Sequence, residues 1–360
     1  MRELVVIAEQ LLAPVPGGTG RYTAELLRAL AETAPEGWRP RGVVAWHADV
    51  EAARVGGVEG PSRLPLPPKA LIAAWQAGLP LWPGGAAVHA PTPLAPPRVP
   101  GRRTLSVTVH DTVPWTHPET LTPRGVRWHR AAIATAARSA TALVVPTSAV
   151  AADLAGLVKP RGEVHVIGHG VTRFPLSRRT LPFDLPERYV LAVGTIEPRK
   201  GIDVLIEAMA DVPVPLLLIG QPGWGELDPS RLAALHGLPP GRVRQLGRLP
   251  DDQLAAVLRA ASVVAVPSRA EGFGLPVLEA MAEGVPVVHT DVASLTEVAG
   301  GAGRIVPVGE PGALAAALRD VLGSSSLAAR LTEAGLRRAA LFSWAEAARA
   351  VWRLHTGERS

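Results

Sequence analysis

The chain of 360 residues has no cysteine and few aromatic residues, with 9 Trp, 2 Tyr and 4 Phe, and only 3 Met. Without cysteine there are no disulfides and no thiolate metal sites, a composition that fits a cytosolic protein. No apolar run approaches the roughly 20 residues that a bilayer-spanning helix needs. The start, Met-Arg-Glu-Leu-Val-Val-Ile-Ala-Glu, carries acid beside its short apolar run and reads as a first strand, not as a signal peptide. Neither an Asp-x-Asp nor a His-Glu-x-x-His pattern occurs, so no metal is expected. No Lys/Arg-rich short run points to nucleic acid.

What is present is apolar and ordered. Hydrophobic residues make up 47% of the chain, enough for more than one core, and the length favours two domains. Charge is uneven: residues 1–180 carry 20 Lys and Arg against 12 Asp and Glu, and residues 181–360 carry 17 against 20. A basic first half could face anionic lipid or a polyprenyl phosphate, although scattered solvated arginines would give the same count.

Short apolar runs alternate with helical patterns, the mark of parallel sheets with crossover helices. Strands are expected at Leu4–Ala8, Gly42–Trp46, Ala86–Ala90, Thr104–Val109, Ala142–Pro146 and Glu163–Ile167. A second set is expected at Tyr189–Val193, Pro215–Ile219, Arg242–Leu246, Ser262–Val266, Val285–His289 and Arg304–Val306. The fold class is α/β, with two Rossmann-like doubly wound domains. The expected division is a first domain over 1–173, a linker over 174–188 rich in Pro and Arg, a second domain over 189–341, and a terminal helix within 342–360 capped by Ser343. Residues 47–100 are Pro-rich and carry one candidate helix, Pro68 to Ala77.

Ligands of such sheets bind beyond the carboxyl ends of strands, and four motifs lie there. Residues 268–288 read as a glycine-rich turn, a helix entered at Pro276 and a strand, with Glu271 and Glu279 eight apart. Free N–H groups at that helix start favour an anion, and the two carboxylates could grip hydroxyls beside it. Arg199 and Lys200, in Gly194-Thr195-Ile196-Glu197-Pro198-Arg199-Lys200-Gly201, sit at another strand-to-helix turn where they could neutralise a diphosphate, or be ordinary surface. Gly17-Gly18-Thr19-Gly20-Arg21-Tyr22 opens a helix at Thr19 or Gly20, where glycine lets a ligand approach the backbone. His110-Asp111 ends a strand. A neutral His110 could donate to a sugar hydroxyl or bear nearby partial positive charge through its backbone carbonyl, and Asp111 could bind an acceptor or cap the next turn. Arg248 follows a strand and could edge a nucleobase, while Trp75, Trp82 and Trp115 are expected to pack in the core.

The Glu-x7-Glu segment with its Gly-Phe-Gly-Leu-Pro filling resembles the retaining glycosyltransferases of family 4, which have the GT-B architecture. The resemblance covers nearly the whole chain, is strongest over 190–306, and departs at Gly168-His169 where relatives show Pro-Asn or similar. It implies a cleft between the domains, with Arg199 and Lys200 on the donor diphosphate and His110 and Glu271 at the donor sugar. Glu279 falls on the ribose, and Gly18, Gly194, Thr195, Arg248, Phe273, Gly274 and Leu275 on other parts of the donor. Gly20, Arg21, Tyr22 and Asp111 fall on the acceptor side. The implied activity is metal-independent hexosyl transfer without a cofactor, with mannose from GDP-mannose as donor and a glycan or polyprenyl-linked glycolipid as acceptor. The implied setting is the cytoplasm, or the inner face of the cell membrane. A nucleotide-sugar epimerase and a non-catalytic binding subunit are the alternatives.

Overall fold

The computed structural model describes residues 1–172, 174, 181–223, 225 and 227–357. The chain forms two compact units. One comprises Met1–Pro118, Thr122–Gly170 and the chain from Ser343; the other comprises Val171–Phe342 with Glu119–Leu121.

The first unit is built on β1 (Arg2–Ile7), β2 (Trp38–Val44), β3 (Glu59–Arg63), β4 (Ala87–Ala90), β5 (Thr104–Thr108), β6 (Ala142–Val145) and β7 (Glu163–Val166). They form one sheet in the order β3-β2-β1-β4-β5-β6-β7, parallel throughout, with Val5 opposite Val88. β4 and β6 are buried along their whole length, because helices cover both faces and leave no polar side. The rims differ. β3, Glu-Gly-Pro-Ser-Arg, and β7 are largely exposed, and β3 is an element that apolar patterning does not announce.

The second unit holds β8 (Val190–Val193), β9 (Leu216–Ile219), β10 (Val243–Gly247), β11 (Val263–Val266), β12 (Val287–Thr290) and β13 (Arg304–Val306). Their order is β10-β9-β8-β11-β12-β13, again all parallel, with Val264 between Leu191 and Val287. Both sheets reverse strand order once, at β1/β4 and at β8/β11. The diverging connections leave a crevice beyond the carboxyl ends at each switch point.

Each sheet has a buried apolar layer on either face. The helix Trp344–Thr356, capped by Ser343, packs on the helix Gly17–Glu32, and the Trp352 indole donates to Leu30 O at 3.1 Å. In the segment read as linker, Phe174, Leu181, Phe183 and Leu185 pack against the core of the second unit, while 175–180 lie outside the described residues. No helix among the described residues is long and apolar enough to cross a membrane.

Candidate functional site

In the second unit the switch point gathers charge. β8 runs through Gly194 and Thr195 into a short 3-10 turn, Pro198–Lys200, closed by Gly201 at φ +64°. Any Cβ at Gly201 would overlap the Pro267 carbonyl oxygen, so glycine is needed for both its conformation and its space. This turn delivers Arg199 and Lys200 to the loop after β11. Lys200 Nζ donates to Glu271 Oε1 at 2.5 Å, and Arg199 Nη1 lies 3.6 Å from Oε2. Arg199 also donates to Glu197 Oε1 at 2.7 Å and to Ala270 O at 3.1 Å. The Ser268 hydroxyl donates to Glu271 Oε1 at 2.8 Å, and Ser294 donates to the Glu271 carbonyl at 2.6 Å.

Burial pushes the Glu271 carboxyl up, but Lys200, Arg199 and the two side-chain hydrogen bonds outweigh it and hold the group below its ordinary value. Glu271 is therefore an anion. Two cations and two carboxylates, Glu197 included, balance here. The set of ion pairs is internally neutral.

The helix after this loop runs Leu275–Ala282, with Gly274 as its N-cap at φ +95° and Pro276 in the first turn. It starts one residue before the expected Pro276. A Cβ at Gly274 would overlap the Leu295 side chain. Phe273 is a core residue, its ring edge-to-face with Phe342 at 5.9 Å, so only its backbone can serve a ligand. Glu279 is 5% exposed on the same helix. Arg248 is exposed just past β10, with β9 between that strand and β8, and is not part of the charged set.

The first unit gathers neutral rings at its own switch point. The helix Gly17–Glu32 opens at Gly17, two to three residues earlier than expected. Gly18 thus lies in its first turn and not in a loop before it, and Gly20 lies in the same turn. Gly20 bonds Pro16 O at 2.9 Å, and any Cβ there would overlap the Pro16 side chain. Gly18 is exposed and Arg21 half-buried. Tyr22 is 2% exposed, and its hydroxyl pairs with Thr108 Oγ1 at 3.1 Å. It is a packing residue beneath His110, with ring centroids 4.7 Å apart.

His110 follows β5, and its Nε2 meets Pro91 O at 2.8 Å. A carbonyl only accepts, so Nε2 carries the proton. Burial lowers the His110 pKa more than the Pro91 bond and Asp111 raise it. The ring is neutral, and Nδ1 is left as an acceptor. This corrects the expected direction: His110 can accept from a hydroxyl but has no spare N–H to donate. Asp111 Oδ1 accepts from Val113 N at 3.1 Å, the turn-capping alternative.

Two features were not assigned to the site from the sequence, where His169 stood only as a departure from the family pattern. His169 is 5% exposed, stacked on Trp344 at 5.8 Å and set against Tyr22 at 4.6 Å and His110 at 5.6 Å. Burial first, and then His110, hold it well below the ordinary histidine value. The second is a hydrogen-bonded run beneath Tyr22: Thr104–His355 at 2.7 Å, His355–Ser106 at 2.8 Å, Ser106–His89 at 2.7 Å and His89–Thr108 at 3.4 Å. A neutral imidazole donates from one nitrogen and accepts at the other, so the run points one way at a time. Among the described residues no group of three or more His, Asp or Glu comes together to hold a metal ion.

Comparison with known proteins covers both units. Residues 16–173 match the family described as Glycosyltransferase Family 4, and residues 174–338 match Glycosyl transferases group 1. The chain is 41% identical over 162 residues to the O-antigen chain mannosyltransferase B of Escherichia coli, covering 43% of this chain and 42% of that protein. It is 40% identical over 184 residues to the D-inositol 3-phosphate glycosyltransferase of Mycolicibacterium vanbaalenii, covering 47% and 40%. The chain spans about half the length of the curated relatives it matches. Among solved structures, a sucrose-phosphate synthase from Thermosynechococcus elongatus superposes with a TM-score of 0.75 at 24% identity over 98% of each chain. WaaG, a glycosyltransferase involved in lipopolysaccharide biosynthesis, gives 0.71 at 20% over 99% and 100%. On two parallel sheets of that architecture, the chain carries in order a domain of Glycosyltransferase Family 4 and a domain of Glycosyl transferases group 1.

Proposed function

We propose that this chain transfers a hexosyl unit from a nucleotide diphosphate sugar to a hydroxyl acceptor, with retention at the anomeric carbon. The observation that carries the reading is the meeting of Arg199 and Lys200 with Glu271 at the β8/β11 switch point. A diphosphate would replace Glu271 as the partner of both cations, and the released carboxylate would turn to the hydroxyls of the sugar. The two cations then face the diphosphate in place of Glu271. As the bond from the sugar carbon to the diphosphate oxygen breaks, its electron pair leaves on the diphosphate, where Arg199 and Lys200 stabilise it. The acceptor oxygen bonds the same carbon and its proton passes to the leaving phosphate.

Glu279 is assigned to the ribose, and Gly194, Thr195 and the backbone of Phe273, Gly274 and Leu275 to the rest of the donor. Arg248 is assigned to the base. In the first unit Gly18 is proposed beside the donor phosphate, His110 as acceptor of a sugar hydroxyl, and Gly20, Arg21 and Asp111 as acceptor-side contacts. Tyr22 supports His110. The reaction is proposed to need neither metal nor cofactor, since two cations already face the leaving group.

The donor is proposed as GDP-mannose and the acceptor as a polyprenyl-linked or glycan hydroxyl in surface polysaccharide synthesis. The 41% identity with an O-antigen mannosyltransferase over 162 residues supports this, as does the basic first half, which suits the cytoplasmic face of an anionic membrane. The 40% identity with an inositol phosphate glycosyltransferase favours a second reading, a cyclitol phosphate acceptor. A thermal-shift panel of UDP, GDP, dTDP and ADP sugars tests the donor, because a ligand of the folded state raises its melting temperature. A shift with none of them would sink the reading. Conversion of donor alone to its C2 epimer would establish the epimerase alternative, and binding without turnover the non-catalytic one.

A further inference from the structure

We infer that Arg269 is a positioning residue for the diphosphate grip, clamping the turn that carries Arg199 and Lys200 to the loop that carries Glu271. The inference rests on the reading of Arg199 and Lys200 as diphosphate contacts.

Arg269 follows Ser268 in the loop after β11, yet its bonds all go to the segment after β8. Its backbone N–H donates to Arg199 O at 2.8 Å. Its Nη1 donates to Pro198 O at 2.5 Å and to Asp203 Oδ1 at 2.8 Å, and its Nη2 donates to Asp203 Oδ2 at 2.6 Å. Asp203 lies in the first turn of the next helix, Ile202–Ala208. One side chain therefore holds both ends of the turn, its first carbonyl and the helix beyond it. Gly201, between those ends, is pressed against Pro267, so the two loops are in direct contact where the clamp closes.

The chemistry of the neighbouring links shows why a separate clamp is needed. Lys200–Glu271 and Arg199–Glu271 also join the two loops, but an arriving diphosphate competes for both cations. Arg199–Ala270 O is carried by the same guanidinium. The Arg269–Asp203 pair uses none of these groups, so it keeps the loops in register while the ligand takes Glu271's partners. The forked geometry requires arginine: a lysine keeps the charge but cannot bond two carboxylate oxygens and a carbonyl from one planar group. Arg269 and Asp203 keep 29% and 33% of their side-chain surface exposed. Both are half-buried at the surface and outside the apolar core, so their replacement is expected to leave the core packing in place.

The test compares wild type, Arg269→Lys and Asp203→Asn by calorimetry with UDP, GDP, dTDP and ADP and with the matching monophosphates. Hydrogen–deuterium exchange of residues 198–204 is measured in parallel on the free proteins. In both variants the diphosphate that wild type prefers should bind about tenfold more weakly, the loss typical of misplaced charged hydrogen bonds. Its monophosphate, which lacks the phosphate the grip holds, should bind as before. Exchange in 198–204 should quicken. Unchanged diphosphate affinity would overturn the inference, and so would equal weakening of diphosphate and monophosphate, which marks general loosening. A wild type that binds no diphosphate would overturn the donor reading and the positioning role with it. Exchange rates unchanged by Arg269→Lys would overturn the clamp itself, with or without a ligand.

Discussion

The two switch points of this chain solve opposite electrostatic problems. Beyond β8 and β11, Arg199, Lys200, Glu197 and Glu271 are all charged and are held by one another at 2.5 to 3.6 Å. Beyond β5, His169 is buried and His110 half-buried among rings, and both are pushed toward the neutral form. Ion pairs keep charge available for exchange with an anionic ligand. Burial removes charge and leaves shape and single lone pairs. The proposed donor calls for both kinds of chemistry, charge for phosphate and lone pairs for hydroxyls.

The largest expected break falls on the charged side. Arg199→Ala or Lys200→Ala should lower turnover by two or more orders of magnitude, about 3 kcal/mol of lost transition-state stabilisation. Steady-state rates of the purified variants check this, and near-normal turnover would remove the assigned role.

Next comes acid stability on the neutral side. Burial holds His355 at about 3, and burial with nearby His355 and His110 holds His89 at about 3, against about 6.5 in an unfolded chain. Below pH 6.5 the unfolded chain takes up protons that the folded one refuses, so stability falls as pH falls. The contribution is complete above about pH 6.5 and is lost progressively toward pH 3. From pH 7 to 5.5 the pair should cost about 2 kcal/mol, read from urea midpoints. His355→Gln should remove about half of that slope, and an unaltered slope would contradict it.

His110→Phe keeps a ring against Tyr22 but deletes the Nδ1 acceptor. Turnover should fall about tenfold, one lost hydrogen bond to a reacting sugar, with the donor dissociation constant little changed. A rise in that constant with turnover intact would place His110 in ground-state binding. The smallest expected effect is that of EDTA, which should leave the rate unaltered; loss of activity restored by a divalent cation would overturn the metal-independent reading.

What was legible in the sequence follows from burial. Interior strands such as β6 and β11 are apolar at every position because both faces are covered, so runs like Val-Val-Ala-Val announce them. β3 lies at a rim, where Gly, Pro and charge are tolerated, and only pairing with β2 reveals it. The charged switch point was readable because Gly201, Gly274 and the Glu-x7-Glu spacing are local. Glu197 lay within a quoted motif, and a carboxylate two residues before Arg199 was an available signal. The ring cluster was not local. Tyr22, His169 and Trp344 come from distant parts of the chain, and no spacing rule joins them. The glycine-rich start differs only in where the helix opens: Gly17 and Gly18 already belong to it, and Gly20 is held against Pro16.

The most direct measurement of the central claim is calorimetric binding of the preferred nucleoside diphosphate to wild type and to Lys200→Met. If Lys200 exchanges Glu271 for the ligand, affinity should drop about tenfold or more, and the wild-type affinity should weaken with added salt. Equal affinity in the two proteins would contradict the account.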